Sequence, residues 1–451
     1  MPQAAWRCQP TRTKPKLARL EAGPAFPGAR QGESIGAVAM TPTTQGSVMP
    51  RPGRILLAAL SLLLLATAAA AARGPGPLEL DTGFGRHGVV SPGHSVAGFE
   101  EVGALAVAPG RHIWVAGESI DSPGSLVLGA FNRDGDFDPS HGDHGYLPLP
   151  IAGPANALLA DGTRVFMLTQ RTTITRFRGG QIDPSFGAGG SVRMDQLEPA
   201  LQSLHLWSIA SLGGGSVTAA GISFGSPQMV AIRLLPDGSL DLSFNGSGSV
   251  AVTFGQGTNS GAIQVKLLGD GKLILGGYAD GRPALARLLP DGRLDRSFGH
   301  NGKVMAPPWL HGRITALTVR RDGSILAGVS GWTRSGTGTR ALLLRYGPDG
   351  RLDRRFGAAA FPRSRSNPKA TPLTVMRSRH HIFMATRGKG PAIRAFRLDG
   401  RQIRLGQVPG VPQDRWFHTD AAPQDKDLIL AYTPRHAPAE GVVEIKRFLL
   451  D

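Results

Sequence analysis

Serines in glycine-framed loops, paired histidines and clustered carboxylates are the residue types in this chain that could do chemistry, and none has the setting its chemistry needs. Residues 221–225 read GISFG, the spelling of a serine nucleophile elbow. That device needs a strand, a sharp turn and a helix to lift the hydroxyl toward an oxyanion hole. Here the letters close a strand-like run in an all-β pattern, so Ser223 is expected to be a strand-end residue. Residues 336–341, GTGTRA, spell a dinucleotide fingerprint without the helix whose N-terminus would hold a pyrophosphate; they read as a loop. His141 and His144 stand near Asp138 and Asp143 and offer metal-type donors, but both histidines fall on positions of a repeat described below. His380 and His381 open a predicted strand, where alternation sends neighbouring side chains to opposite faces. No HExxH, P-loop or zinc-ribbon spacing occurs. No catalytic residue, metal ligand or cofactor is assigned on this reading, and ligand-binding residues stay unassigned.

Conspicuous aspartates, glycines and phenylalanines belong instead to a recurring block. It reads LDTGFGRHGVV at 80–90, FDPSHGDHGYL at 137–147, IDPSFGAGGSV at 182–192, LDLSFNGSGSV at 240–250, LDRSFGHNGKV at 294–304 and LDRRFGAAAF at 352–361. The aromatic position is held by Phe84, His141, Phe186, Phe244, Phe298 and Phe356, at spacings of 57, 45, 58, 54 and 58 residues, the period of propeller blades. A strand-like run ending in a turn precedes each block, from LGAFNRDG through VAIRLLPDG and ALARLLPDG to EIKRFLLD at the C-terminus, seven in all. Between blocks lie seven short apolar runs: HIWVAG, RVFMLT, SVTAAG, KLILGG, SILAGV, HIFMAT and DLILAY. Further apolar stretches precede these across Asp-Gly or Gly-Gly pairs, a strong hairpin signal.

Four antiparallel strands per unit and seven units predict an all-β fold, a seven-bladed β-propeller over residues 78–451. The chain starts with the block that should follow its own last strand, so N-terminal and C-terminal strands are expected to pair and close the ring. The expected contact sets Val89 and Val90 beside residues 442–449. Such closure leaves no sheet edge exposed. Asp237, Asp291 and Asp349, each before Gly, fit turn corners. Asp183, Asp241, Asp295 and Asp353 fit caps of the following turn, and Phe186, Phe244, Phe298 and Phe356 fit the gaps between blades.

Composition agrees: Gly (62) and Pro (35) abound, which suits short strands and tight turns and disfavours long helices. The formal charge is +17, but residues 1–73 carry nine Lys or Arg against two acids. The rest of the basic residues are scattered, without the basic run or arginine–aromatic cluster that follows a phosphate backbone, so nucleic-acid binding is not expected. Residues 49–73 combine Arg51 and Arg54, an apolar run from Ile55 through Ala66 and an alanine tract ending at Ala72. That is the layout of a secretory signal peptide, predicting cleavage near Ala72, no membrane span afterwards, and a secreted or cell-envelope location. Residues 1–48 have no apolar periodicity and read as a disordered or spuriously translated extension, with Met1, Met40 and Met49 as possible starts. The single cysteine, Cys8, precedes the signal, so no disulfide or cysteine metal site is expected in the propeller.

The pattern LDxSFGxxGxV after RLxPDG, alternating with DGxILxxG, resembles the delta-60 repeat family of bacterial proteins. The resemblance covers roughly residues 78–360; around Asp399 the sequence has RQIRLGQV in place of LDxSFG. It implies an exported propeller-type repeat protein and carries over no catalytic residue. The functional expectation is a monomeric binding or interaction module at or outside the cell envelope, for an envelope protein, polysaccharide or small ligand. The rival is a hydrolase or lyase acting on a sugar or lactone, built from non-repeat residues at one channel mouth. Glu100, Glu101, His205, Trp207, Trp309, His311, Trp416 and His418 are the residues that reading needs to converge.

Overall fold

The computed structural model describes residues 78–91, 99–110, 112–119, 122–333, 340–356, 370–387, 393–403, 405, 416–434 and 443–450. All lie in the unit Arg73–Asp451; the extension, the signal segment and most of the 336–341 loop fall outside them. The described residues form seven antiparallel sheets. Among the described residues, helix is confined to the single turns Met194–Leu197 and Pro199–Leu201.

Each sheet begins with an inner strand: Phe99–Val107, Ala155–Asp161, Leu204–Gly213, Ser260–Leu267, Leu310–Val319, Thr371–Arg377 and Trp416–Gln424, for blades 1 to 7. Each inner strand contacts the next, and Trp416–Gln424 contacts Phe99–Val107, so the inner strands form a closed ring. Outward from each follow a second and a third strand by hairpin pairing. The second strands are buried almost throughout, as in Ile113–Ser119 and Leu273–Ala279. A blade sandwiched between two others hides both sheet faces, which is why these runs read as continuously apolar instead of alternating. Blade 5 shows three strands among its described residues, and the block region that would supply its fourth lies outside them. The sheet of blade 6 ends in Gln402–Ile403, so a blade forms even where LDxSFG is absent.

The ring closes as the sequence leads one to expect, with one addition. Val90 bridges Ile445, and Leu78–Leu80 pairs antiparallel with Phe448–Leu450. The last blade is thus finished by the first described residues of the chain, and both arms of the opening block take part.

Seven apolar clusters fill the seven gaps between blades. Phe84, Phe186, Phe244, Phe298 and Phe356 each sit in one of them, buried between their own blade and its neighbour. An arginine from the preceding third strand lies over each ring, at 4.2 to 4.9 Å from the centroid: Arg447, Arg176, Arg233, Arg287 and Arg345. The block aspartate holds that arginine. Arg287 Nε donates to Asp295 Oδ2 at 2.9 Å, its Nη2 to Ser297 Oγ at 3.0 Å, and its Nη1 to the Pro348 carbonyl of the next blade at 2.5 Å. Arg176 repeats the arrangement with Asp183, Ser185 and Pro236; Arg447 reaches Asp81 and the Arg133 carbonyl, locking blade 7 to blade 1. Asp295 also accepts the Ser297 N–H at 3.1 Å, and Asp237 accepts the Ser239 N–H at 2.9 Å, so both sets of aspartates bind the backbone of their own turns.

Blade 1 breaks the clamp in two places at once. Ala130 replaces the arginine and His141 the phenylalanine. Into the vacated space come His112 Nδ1 and His141 Nδ1, 2.9 and 3.1 Å from Asp138 Oδ2, while Trp114 meets the His141 ring edge-on at 4.8 Å.

Candidate functional site

A register irregularity interrupts every inner strand, and blades 1 and 3 carry a second one, between Phe99 and Glu101 and between Ser211 and Gly213. At the shared irregularity the skipped residue is Gly103, Asn156, Trp207, Ile263, Thr315 and Leu373 in blades 1 to 6, and in blade 7 the shift falls between Trp416 and Thr419. A bulge turns its extra residue out of the ladder. In blades 1, 3 and 4 the second strand makes room with glycine: a methyl group on Gly117, Gly221 or Gly277 would lie 2.0 Å from the carbonyl oxygen of Glu101, His205 or Gly261.

These bulge residues meet on the ring axis. A cavity of about 270 Å³ opens at the channel end where the inner strands begin, and all seven inner strands line it. Gly103, Asn156, Trp207, Ile263, Thr315 and Leu373 are all on its wall, with Gln264, Tyr278, Arg313, Arg387, Phe224 and Asp420. Trp207 is steadied by Arg171, whose guanidinium lies 3.8 Å from the indole centroid. Phe224 is 54% exposed at the rim and packs edge-on against His205 at 4.5 Å.

Asp420 faces Ala431 in the second strand, the place that Ala104, Ala157, Ser208, Gln264, Ala316 and Thr374 hold in the other blades, as their own facing partners show. Ser208 Oγ accepts the Val265 N–H of the next blade at 3.2 Å; Asp420 Oδ2 accepts the Leu105 N–H at 2.8 Å, across the ring seam, and Oδ1 the Ala421 N–H at 2.8 Å. Burial pushes the Asp420 carboxyl up to about 6, against the pull of those two N–H donors and of the Arg387 and Lys266 charges. Lys266 faces the lumen one layer deeper than Gln264. It is ringed by protein yet open to solvent along the channel, and that desolvation lowers its pKa while Asp420 opposes the drop.

Of the residues the enzyme reading needs, Trp207 is the one among the described side chains that lines this cavity. His205 stands behind Phe224, Trp309 is half-exposed at the start of its inner strand, and the side chains of Glu100, Trp416 and His418 lie outside the described residues. Ser223 ends its strand with Oγ 3.2 Å from Ser203 Oγ and no histidine on it. His144 is exposed beside Asp143. Among the described residues no group of three or more His, Cys, Asp or Glu is placed to hold a metal ion, and no helix is long and apolar enough to cross a membrane. Arg313, Arg387, Lys266, Gln264 and Asp420 carry no sequence motif; a polar or charged residue among the apolar residues of an inner-strand run could have flagged the others, while Arg387 ends the second strand of blade 6.

The model of the β-propeller domain of unknown function DUF5122 matches residues 215–244, 268–298 and 320–356. Each match runs from a second strand to the block phenylalanine, in blades 3, 4 and 5, and supports a propeller repeat family, the one whose repeat the sequence resembles. No curated protein matches the sequence. Among solved structures the chain is similar to YCF48 from Cyanidioschyzon merolae, at 11% identity over 80% of this chain and 98% of that one, with a TM-score of 0.47. It is also similar to BamB from Moraxella catarrhalis, at 12% identity over 76% of this chain and 84% of that one, with a TM-score of 0.42.

Proposed function

We propose that this repeat propeller is an exported binding module, working at or outside the cell envelope, whose ligand enters the channel mouth. The observation that carries the reading is the ring of bulges: blades 2 to 6 each present the side chain of a bulged residue to the same cavity, Asn156, Trp207, Ile263, Thr315 and Leu373, and no two of them are alike. Divergence at repeat-equivalent positions is what recognition of an asymmetric ligand requires, whereas a purely structural channel has no need of Trp207, Asn156 and Thr315 at matching places. Export rests on the signal-like segment at residues 49–73.

A carboxyl with a raised pKa in a cavity is also the mark of a general acid, which is what a hydrolase or lyase would use. Both Asp420 oxygens already accept backbone N–H groups, that of Leu105 fixing blade 7 to blade 1, so its position is accounted for by ring closure, and among the described residues no nucleophile or base shares a hydrogen bond with it. The discriminating experiment is a glycan and small-ligand binding screen run in parallel with product detection. Binding without turnover, lost in Trp207→Ala, is the expected outcome. Turnover of a sugar or lactone that disappears in Asp420→Asn overturns it.

A further inference from the structure

We propose that the ligand of the channel mouth is an acidic saccharide, bound through a uronate-type carboxylate and the apolar face of its ring; this rests on the binding reading above. Charge comes first. Arg313 and Arg387 are on the cavity wall and Lys266 lies deeper in the lumen. None of the three forms an ion pair among the described residues; Arg387 and Lys266 act on Asp420 only through space. Among the described residues these three cationic side chains stand against one carboxyl at the mouth, Asp420, whose oxygens are already engaged. Two arginines from adjacent blades suit a carboxylate, which guanidinium binds through paired, charge-assisted hydrogen bonds.

Shape and the remaining polar groups narrow the anion to a sugar. At about 270 Å³ the cavity falls near the small end of ligand pockets, which start at roughly 300 Å³, room for one or two rings. Trp207 is held in place by Arg171 and Phe224 is exposed at the rim, so a flat apolar surface stands across the mouth from the arginines. Asn156 Oδ1 is taken by the Arg171 N–H at 2.8 Å, which leaves its amide N–H groups to donate. Thr315 Oγ1 donates to the Pro372 carbonyl at 2.8 Å, which leaves its lone pairs to accept. Gln264 can do either. Separate donors and acceptors beside an aromatic face match the hydroxyls and C–H face of a pyranose.

The test is calorimetric titration of the purified protein with digalacturonate, glucuronate, maltose and glucose 6-phosphate. Digalacturonate or glucuronate is expected to bind at least tenfold tighter than maltose. Arg313→Gln should weaken the acidic sugar tenfold or more without moving the melting temperature, and Trp207→Ala should weaken acidic and neutral sugars alike. Equal affinity for maltose, tighter binding of glucose 6-phosphate, or an Arg313→Gln protein that binds as well as the parent overturns the acidic-sugar assignment. If no probe, charged or neutral, binds in a Trp207-dependent way, the assignment fails, and a broad ligand screen that is also blank removes the channel-mouth reading itself.

Discussion

Removing residues 78–91 from the chain should open the ring, and the structure sets the scale of the loss. Phe84 is fully buried between blades 7 and 1 under Arg447; truncating such a ring to alanine costs about 3–5 kcal/mol. Leu78 and Val90 are each 8% exposed, and burial of side chains of that kind contributes about 1.5–3 kcal/mol apiece. The deletion also leaves Arg447 without Asp81 and bares the hydrogen-bonding edge of Glu444–Leu450. Together these reach at least half of the ~5–15 kcal/mol that holds a typical domain folded. Urea unfolding followed by tryptophan fluorescence is the assay, with Phe84→Ala as a point substitution that keeps the strand and deletion of 1–48 as the control. The deletion of 78–91 should give no cooperative transition or one at less than half the parent's urea midpoint, Phe84→Ala an intermediate midpoint, and deletion of 1–48 the parent's value. A protein lacking 78–91 that unfolds at the parent's midpoint, or a Phe84→Ala cost below about 1 kcal/mol, would refute closure by this segment.

Arg176→Ala leaves the buried Asp183, whose side chain is 9% exposed, without its cationic partner and should cost roughly 3–5 kcal/mol; Arg293→Ala, with a side chain 74% exposed, should cost less than about 1 kcal/mol, and equal losses in thermal melts would contradict the clamp. Acid should destabilise the propeller. At Asp183 and Asp295 burial would raise the pKa, but the Ser185 or Ser297 hydroxyl and N–H and the paired arginine hold each below its ordinary 3.8. A carboxyl depressed in the folded state stabilises above its unfolded pKa, and that contribution disappears as pH falls through the folded value. Melting temperatures recorded downward from pH 5 should therefore drop, and a flat profile contradicts this. Asp420 works in the opposite sense: with its carboxyl raised to about 6, folding is penalised increasingly from about pH 4 to pH 6, a slope that Asp420→Asn should remove. Gly221→Ala should force the blade 3 bulge to rearrange, with a loss of about 1–3 kcal/mol and weaker ligand binding as Trp207 shifts, measured by melting and titration on the same sample.

The blade count was legible because turn chemistry punctuates the chain. Asp-Gly pairs at Asp237, Asp291 and Asp349 mark the same corner three times, and the apolar runs between blocks are too short and too apolar for anything but enclosed strands. The clamp was half legible. An arginine recurs at a fixed place before four of the blocks, as Arg176, Arg233, Arg287 and Arg345, but the partners Arg176 and Asp183, or Arg287 and Asp295, meet only when the third strand turns back on itself, and no local pattern reports that. The bulges were hidden, since an extra residue exists only relative to the strand beside it. The channel mouth was the least legible for a reason built into repeats. Self-alignment rewards what recurs, and the cavity is walled by the positions that do not: Gly103, Asn156, Trp207, Ile263, Thr315 and Leu373 share a register and nothing else.

The placement of the clamps away from the bulges has a further consequence. Arginine, aspartate and phenylalanine tie the third strand and its turn to the next blade in blades 2, 3, 4, 5 and 7, while the bulge residues stand on the inner strands. Changing Ile263 or Leu373 touches no clamp, and changing a clamp touches no bulge. The mouth is therefore a set of addresses that can be rewritten one blade at a time on an unchanged chassis. A lineage could move from one ligand to another through single substitutions at places such as Ile263 and Leu373, and an engineer could randomise those positions to draw new binders from this ring; Asn156 and Thr315, which hold the Arg171 N–H and the Pro372 carbonyl, are the addresses tied to the chassis.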